Sequence, residues 1–487
     1  MRGFFSSVVW SMFDQRVSSC MNIIRRLIWL SLVGVYSSSA QAVLEPFFEQ
    51  GEWTAETGIE YRYFKDPGDF GQSQHAAALR LSAEYYTNWN DEADLFTFRP
   101  YLLADFQDSE RTHFDIREAL WIHVGEDWEL RSGITRVFWG KTEFINLVDV
   151  INQQDLVDGD DEKLGQPMIN LSLVHDWGLF DFYLLLGFRE RTFPGPDGRL
   201  RTPLPIDADN AKYSSDTGPY DVDWAVRWQR PVNDYVEMGV SLFSGVDREP
   251  WYSFNFDLDN PMLVPNYHHK DQVGLELEFL YEGWAVKFES VAVRSERESY
   301  WAAVTGIEYS FYGIFGSDLD LTFITEFMHD SREDVAPGYL EHDIGFGGRF
   351  NFNDEFDTNM LGGFLWDPDT EEKVISLEFE RRLYSDLKLE IQAVSVLERG
   401  TPQVSDTNVQ AIATLINSPL FGDDSFSYSE VVEFLAGLIE EEGLEFIFDP
   451  NFGLDILQQV ERMADSSRKI SVIESDDYIQ FKLTYYY

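Results

Sequence analysis

Cysteine, basic residues and long apolar runs are all scarce in this chain of 487 residues. Its single cysteine, Cys20, lies close to the N-terminus, so nearly the whole chain is without disulfides, thiolate metal sites or cysteine nucleophiles. Only 37 Lys and Arg stand against 86 Asp and Glu, a net charge of −49 that repels nucleic acid. No run of 18 apolar residues follows residue 42, which excludes transmembrane helices.

The first 42 residues are predicted to be an export signal. Arg25 and Arg26 precede an apolar stretch at 27–36, and Ala40-Gln41-Ala42 has the small-x-small pattern of a cleavage site. The stretch is too short for a membrane helix, which needs about 20 residues. Met21 is an alternative start, and an N-terminal anchor that stays attached is the competing interpretation.

From Glu52 onward, apolar and polar residues alternate with a period of two. The segments 96–106, 272–279 and 375–380 show the pattern clearly, and aromatic residues make up 16% of the chain. One apolar and one polar face suit either a soluble sandwich or a barrel in lipid, in which the apolar face points outward.

Connection lengths favour the barrel. Every second connection is tight, whereas all long connections, at 139–165, 190–219, 246–269, 330–340 and 399–476, fall at the alternate positions. Short turns on one side and long loops on the other are typical of outer-membrane barrels. The sequence predicts an all-β fold for residues 43–487, a transmembrane antiparallel β-barrel of about 18 strands in the outer membrane of a Gram-negative bacterium. The candidate strands are 51–64, 74–88, 94–107, 113–123, 127–138, 166–175, 179–189, 220–229, 233–245, 270–281, 284–294, 300–312, 317–329, 341–352, 357–367, 372–383, 386–398 and 477–487.

The last candidate strand ends in an aromatic residue. Its apolar row includes Phe481, Tyr485 and Tyr487. This ending resembles the signal by which outer-membrane barrels are handed to the barrel-assembly machinery. An edge strand of a soluble fold is the alternative.

The acidic segment 399–476, just before the last strand, has helical features instead of strand features. Asp406 and Asp449-Pro450 mark helix starts, and Ser427-x-x-Glu430 is a capping box. We expect a helical insertion here, which either forms a separate extracellular domain or plugs the barrel.

Motifs of catalysis are missing from the sequence. The eight histidines form no His-Glu-x-x-His pair, and neither a Gly-x-Ser-x-Gly elbow nor a glycine-rich phosphate loop occurs. His113, Asp115 and His123 are predicted to share one face of a strand, but no nucleophile accompanies them. We therefore expect no enzyme and no cofactor.

Basic residues recur on the polar face of successive candidate strands. Such guanidinium and ammonium groups would line one side of the lumen and pass an anionic solute from site to site. Alternatively, acidic residues of the same wall pair with each of them. The predicted basic ladder comprises Arg62, Arg80, Arg99, Arg117, Arg131, Lys388 and Lys482.

The long connection after Trp139 is a candidate constriction loop. Its apolar residues at 145–151 are unsuited to solvent and are expected to fold inward or to pack on the rim. Asp158, Asp160 and Asp161 are candidate calcium ligands, and a solvated acidic turn is the favoured alternative. The constriction candidates are Arg136, Trp139, Asp149, Asn152 and Asp155.

The Arg-x-x-Trp-Gly element at 136–140 and the Asp-x-x-Asn-x-x-Asp that follows resemble a group of porin-like outer-membrane proteins. That group is broadly similar to the eighteen-stranded alginate-export and substrate-specific porins. Gln153 departs from the proline expected after Asn152. The resemblance implies transport across the outer membrane and no catalytic residues.

The sequence thus predicts an outer-membrane channel or substrate-selective porin for a small solute, in contact with membrane lipid and lipopolysaccharide. The oligomeric state stays open, with a monomer favoured. A barrel that anchors the acidic segment 399–476 for surface binding or adhesion is the alternative, and an outer-membrane hydrolase is the third possibility.

Overall fold

In the computed structural model, 18 strands form one closed antiparallel sheet. The structure describes residues 51–68, 70–159, 162–202, 204–255, 262–332, 336, 341–369, 371–398 and 476–487. Consecutive barrel strands pair with each other, and the last pairs with the first, so that every barrel strand has two neighbours. The predicted all-β barrel of about 18 strands is confirmed. The predicted signal at 1–42 and helical insertion lie outside the described residues, apart from Asp476.

The strands are numbered here in chain order. They are β1 (Glu52–Phe64), β2 (His75–Trp89), β3 (Asp94–Asp105), β4 (His113–Val124), β5 (Trp128–Thr135), β6 (Gln166–His175), β7 (Gly178–Leu186), β8 (Lys212–Tyr213), β9 (Val222–Pro231), β10 (Val236–Val246), β11 (Trp251–Asn255), β12 (Met262–Tyr267), β13 (His269–Tyr281), β14 (Trp284–Ser295), β15 (Ser299–Phe311), β16 (Asp320–Asp330), β17 (Ile344–Asn351), β18 (Asn359–Trp366), β19 (Lys373–Tyr384), β20 (Leu387–Glu398) and β21 (Tyr478–Tyr486). Short 3-10 helices occupy Ala208–Asn210, Gly218–Tyr220 and Ile314–Gly316.

Three of these strands lie outside the barrel. β8, β11 and β12 form a small sheet from the connections β7–β9 and β10–β13, on the long-loop rim. Their pairing joins two segments far apart in the chain, and β8 has only two residues. For this reason no local pattern in the sequence predicted them.

The two rims of the barrel differ in loop length, as the sequence predicted. The turns β4–β5, β6–β7, β13–β14 and β19–β20 are all tight, whereas the other rim carries the long connections. Among the described residues, no helix is long and apolar enough to cross a membrane.

The faces of the barrel are inverted relative to a soluble protein. On β1, the outward Ile59, Tyr61 and Tyr63 are exposed, whereas the inward Glu60 is 1% exposed and Arg62 is mostly buried. Exposed apolar side chains around a charged interior are stable when the outer surface contacts lipid. The wall therefore presents an apolar band outward and ionic groups to the lumen.

Candidate functional site

The connection between β5 and β6 folds into the barrel. This segment, residues 136–165, is called the inner loop below. Near one end, Asp158 contacts Arg80 of β2 and Arg117 of β4. Nearer its start, the backbone N–H groups of Lys141 and Glu143 contact Glu289 of β14 and Glu326 of β16 on the opposite wall. The inner loop thus crosses the lumen, as expected for a constriction loop.

An apolar core fills the lumen beside the inner loop. Val148 and Ile151 are fully buried, and Trp139 is 3% exposed. They pack against inward side chains of β6, β7, β9, β10, β14 and β15, including Met168 and Leu185. Burying a large aliphatic side chain stabilises a fold by roughly 1.5–3 kcal/mol. This part of the lumen is therefore filled with packed side chains, whereas the wall between β19 and β4 carries mainly polar inward residues.

Three wall carboxylates hold the crossing part of the inner loop. Glu289 accepts hydrogen bonds from the backbone N–H groups of Lys141 (2.5 Å) and Thr142 (3.0 Å). The Thr142 hydroxyl lies between the Glu289 carboxylate (2.9 Å) and the carbonyl oxygen of Ile145 (2.5 Å). Glu326 accepts the N–H groups of Glu143 (2.6 Å) and Phe144 (3.0 Å).

The third carboxylate, Glu276, accepts the N–H of Gly140 at 3.2 Å and pairs with Arg227 at 2.8 Å. All three side chains are at most 1% exposed. Sequence reasoning missed this role, because alternation marks Glu276 only as an inward polar residue and says nothing about its partner.

Phe144 packs the inner loop against β17. A Cβ added to Gly345 of β17 would lie 2.8 Å from the Phe144 ring, so only glycine leaves room for the ring against this wall. Beside it, Glu143 pairs with Lys287 at 2.7 Å and also with Arg349. The inner loop is thus attached through both apolar and ionic contacts.

Asn152 joins the two ends of the inner loop. Its amide donates to the carbonyl oxygens of Thr135 and Leu164, both at 2.9 Å, and its oxygen accepts the N–H of Val137 at 2.8 Å. Gly140 has a φ of 110°, which favours glycine. These contacts give the Arg-x-x-Trp-Gly and Asp-x-x-Asn-x-x-Asp elements a structural role in shaping the loop.

The other constriction candidates are paired as well. Asp155 is fully buried and contacts Arg117 (2.7 Å), the Thr192 hydroxyl (2.6 Å) and His113 (3.4 Å). Arg136 pairs with Glu162 at 3.0 Å.

Asp149 pairs with Lys163. Burial raises the pKa of the Asp149 carboxyl to about 6, although Lys163 acts in the opposite direction.

Asp158 connects the inner loop to charged and polar groups of the wall, and these groups form the charged layer around it. Its carboxylate contacts Arg80 at 2.5 Å, Arg117 at 2.7 Å and the Tyr101 hydroxyl at 2.7 Å. These donors occupy the oxygens that a calcium ion would need, which argues against the calcium hypothesis at this residue. Asp160 and Asp161 lie outside the described residues.

Each residue of the predicted basic ladder has an acidic neighbour on the wall or on the inner loop. Sequence reasoning missed Arg111, which contacts Glu60 at 2.7 Å from the loop between β3 and β4. The ladder is therefore an ionic network and not a row of isolated cations. The pairs are Arg62–Glu60, Arg80–Glu60, Arg80–Asp158, Arg99–Glu84, Arg117–Asp115, Arg131–Glu129, Lys388–Glu380 and Lys482–Glu390.

Two cavities adjoin this charged layer, and both are lined by Asp158. The turn-side cavity faces the short turns, and the loop-side cavity faces the long loops. The turn-side cavity brings together the basic residues Arg80, Arg99, Arg117, Arg136 and Lys482 with the acidic residues Glu56, Asp158, Glu162 and Glu390. The loop-side cavity contains Arg62, Arg111 and Arg199 beside Asp105, Asp108 and Asp197.

Comparison with known proteins rests on structure alone, since no family model and no curated protein matches this chain. Pseudomonas aeruginosa OccK10 (OpdN) is similar with a TM-score of 0.44 and 11% identity, over 90% of this chain and 98% of that chain. P. aeruginosa OpdQ has a TM-score of 0.42 and 11% identity, over 91% of this chain and 98% of that chain. P. aeruginosa OccD3 (OpdP) has a TM-score of 0.40 and 10% identity, over 72% of this chain and 86% of that chain. The barrel assignment rests on the strand pairing within this chain.

The histidines of β4 do not share a face, which corrects the expectation from the sequence. In the pairing of β3 with β4, Arg99 is opposite Glu118 and the next residue, Pro100, is opposite Ile116. Arg117 is therefore an extra residue in β4, and the alternation of inward and outward side chains shifts by one position there. His113 contacts the inner loop, whereas His123 stacks with Trp121 and Trp128. A strict period of two cannot reveal such a bulge.

The aromatic residues of β21 lie where the barrel closes. Tyr485 pairs in register with Thr57 of β1 and Leu387 of β20. Phe481 and Tyr487 are exposed at 39% and 41%, and Tyr485 is 4.8 Å from Tyr487 between ring centroids. Their role in assembly stays a prediction.

Proposed function

We propose that this protein is an outer-membrane channel that conducts small solutes selectively. The observation that carries the proposal is the inner loop, which crosses the lumen of the barrel and leaves a cavity on each side of Asp158. A binding protein that needs only an anchor has no requirement for such an arrangement inside its wall.

Anionic solutes fit the turn-side cavity best in this proposal. Arg99 donates to Glu84 through one terminal nitrogen, and its other N–H groups have no partner among the described residues. Arg136 likewise uses one nitrogen for Glu162. Guanidinium groups with free donors bind carboxylate and phosphate oxygens. Acidic neighbours keep each contact weak, as conduction requires.

Export and insertion complete the proposal. Residues 1–42 direct the chain across the inner membrane, and the barrel-assembly machinery recognises the aromatic end of β21. The assembled channel acts as a monomer among membrane lipid and lipopolysaccharide.

Single-channel recording in a planar bilayer tests conduction. We expect discrete conducting steps from the refolded protein. Silence from protein whose barrel is shown to be folded by its heat-dependent electrophoretic mobility would refute the proposal.

Reversal potentials in a salt gradient test selectivity. We expect Arg99→Ala to shift the preference towards cations, because it leaves Glu84 unpaired beside the cavity. The matched control is Arg294→Ala, which removes an exposed arginine from the outer face of β14 and should leave the potential unchanged. Equal potentials for wild type and Arg99→Ala would contradict the assignment of anionic solutes.

A further inference from the structure

His329 and His342 lie opposite each other where β16 meets the long-loop rim. Backbone N–H groups on both sides of His329, those of Met328 (3.0 Å) and Asp330 (3.2 Å), donate to the facing segment before β17 and extend the strand pairing to His342. Met328 and Asp330 point inward, at 3% and 0% exposure. Alternation along the strands therefore places both imidazole rings together on the outer face of the barrel.

The two rings are close and are held from both sides. Their centroids lie 4.9 Å apart, with an angle of 36° between the ring planes. The Trp301 ring packs against His329 on the other side, at 4.5 Å between centroids. An oxygen of Asp369 lies 3.2 Å from Nδ1 of His342. Each ring thus has a neighbour that limits its rotation.

The contacts of the two rings leave nitrogen atoms available. A carboxylate beside Nδ1 of His342 holds the proton on that nitrogen, so the lone pair of Nε2 remains for a metal ion. Within the described part of the chain, no hydrogen bond or ion pair involves a ring nitrogen of His329. Both imidazoles can therefore act as ligands without breaking a contact that the structure shows.

The distance between the rings agrees with two ligands on one metal ion. A metal–nitrogen bond is about 2.0–2.1 Å long, and the ring centre lies about 1.1 Å beyond the nitrogen. Two rings at a ligand angle of about 90–110° then have centroids about 4.5–5.2 Å apart. The observed 4.9 Å lies within this range.

The donor set determines the class of metal ion. Imidazole nitrogens suit Cu²⁺, Ni²⁺ and Zn²⁺, whereas Mg²⁺ and Ca²⁺ prefer oxygen ligands. Among the residues that the structure describes, no group of three or more His, Cys, Asp and Glu side chains is arranged to hold a metal ion. A site here thus has two protein ligands, and water completes the coordination.

We propose that His329 and His342 bind one divalent transition-metal ion on the outer face of the barrel. Asp369 is a positioning residue that orients His342. The site lies outside the lumen, so it does not depend on conduction through the channel.

Isothermal titration of the refolded full chain, without a polyhistidine tag, tests the proposal with Cu²⁺, Ni²⁺ and Zn²⁺ as probes. We expect one Cu²⁺ per chain, bound more tightly than Ni²⁺ or Zn²⁺ and not displaced by excess Mg²⁺. His329→Asn and His342→Asn should each weaken Cu²⁺ binding at least about tenfold, because even the indirect partners of a ligating histidine have an effect of this size.

Electron paramagnetic resonance of the Cu²⁺ complex distinguishes a ligand from a positioning residue. The spectrum should indicate two nitrogen ligands in the wild type and one in each histidine variant. Asp369→Asn should weaken binding about tenfold and leave both nitrogens in place. The matched control is His175→Asn, which removes an exposed histidine near the short turns and should change neither measurement.

Cu²⁺ binding that is unchanged in both His329→Asn and His342→Asn would overturn the proposal, provided that heat-dependent mobility shows folded barrels. Displacement of Cu²⁺ by Mg²⁺ would also overturn it, since it indicates oxygen ligands. One Cu²⁺ for every two chains would contradict a site within a single chain.

Discussion

Removing the Glu289 carboxylate should loosen the inner loop inside an intact barrel. Glu289 is fully buried and accepts two hydrogen bonds from the backbone N–H groups of Lys141 and Thr142, at 2.5 and 3.0 Å. In Glu289→Ala these donors lose their acceptor, whereas the strand pairing of β14 uses only backbone groups. We therefore expect a barrel that assembles normally but whose inner loop leaves the wall more often.

The size of this effect follows from the kind of hydrogen bond. Hydrogen bonds to charged groups contribute about 1.5–3 kcal/mol each, and stranded buried donors add to the loss. A conservative total of about 3 kcal/mol raises the ratio of detached to attached inner loop roughly 150-fold. Glu237→Ala is the matched control: it removes an ion pair with Lys141 from a side chain that is 40% exposed. Such a pair contributes at most about 1 kcal/mol.

Single-channel recordings distinguish the two variants. Glu289→Ala should show brief transitions to a larger conductance, because a detached inner loop no longer crosses the lumen, and Glu237→Ala should resemble the wild type. Circular dichroism and heat-dependent mobility establish that each barrel is folded. Identical conductance and noise in Glu289→Ala and wild type would refute the view that wall carboxylates hold the loop.

Two other contacts of the inner loop give predictions. Gly345→Val should displace the Phe144 ring, because a Cβ there would lie 2.8 Å from it, and should increase open-channel noise; recordings as quiet as those of the wild type would argue against this contact. The raised pKa of about 6 at Asp149 means that the folded protein binds a proton more tightly than the unfolded chain, whose carboxyl has its ordinary value of 3.8. The stability from this proton is full below pH 3.8 and is lost as the pH rises through 6, so Asp149→Asn should gain up to about 3 kcal/mol relative to wild type between pH 4 and pH 7. Thermal unfolding at several pH values measures this difference. A stability difference between Asp149→Asn and wild type that does not change with pH would contradict the raised pKa of Asp149.

The strands and their order were predictable because they depend on local patterns. Alternation along β1 places Glu60 inward and Tyr61 outward whatever the neighbouring strands are. Two strands joined by a tight turn must be antiparallel neighbours. The alternation of short and long connections therefore predicted one rim of tight turns and one rim of long loops. Residues 145–151 were expected either to fold inward or to pack on the rim, because an apolar loop is unstable in water. Only the structure decided between these two outcomes.

The contacts of the candidate site were predictable only in part. Arg80, Arg99, Arg117 and Lys482 were expected in the lumen, and they do line one cavity. Their pairing was left open, since several carboxylates on the same wall were equally plausible partners. Arg111 was missed because it lies in a loop, where no periodicity indicates the direction of a side chain.

The sequence by itself determined the closed sheet, its two faces and the sorting of its loops. These follow from residue alternation and turn lengths within short segments. Only the tertiary structure decided which half of the lumen is filled and which carboxylates hold the inner loop. Glu143 and Arg349 meet across 206 positions of the chain. Such a contact depends on the path of the loop across the finished barrel, and the pattern within a short stretch of sequence does not indicate which distant residue will be the partner.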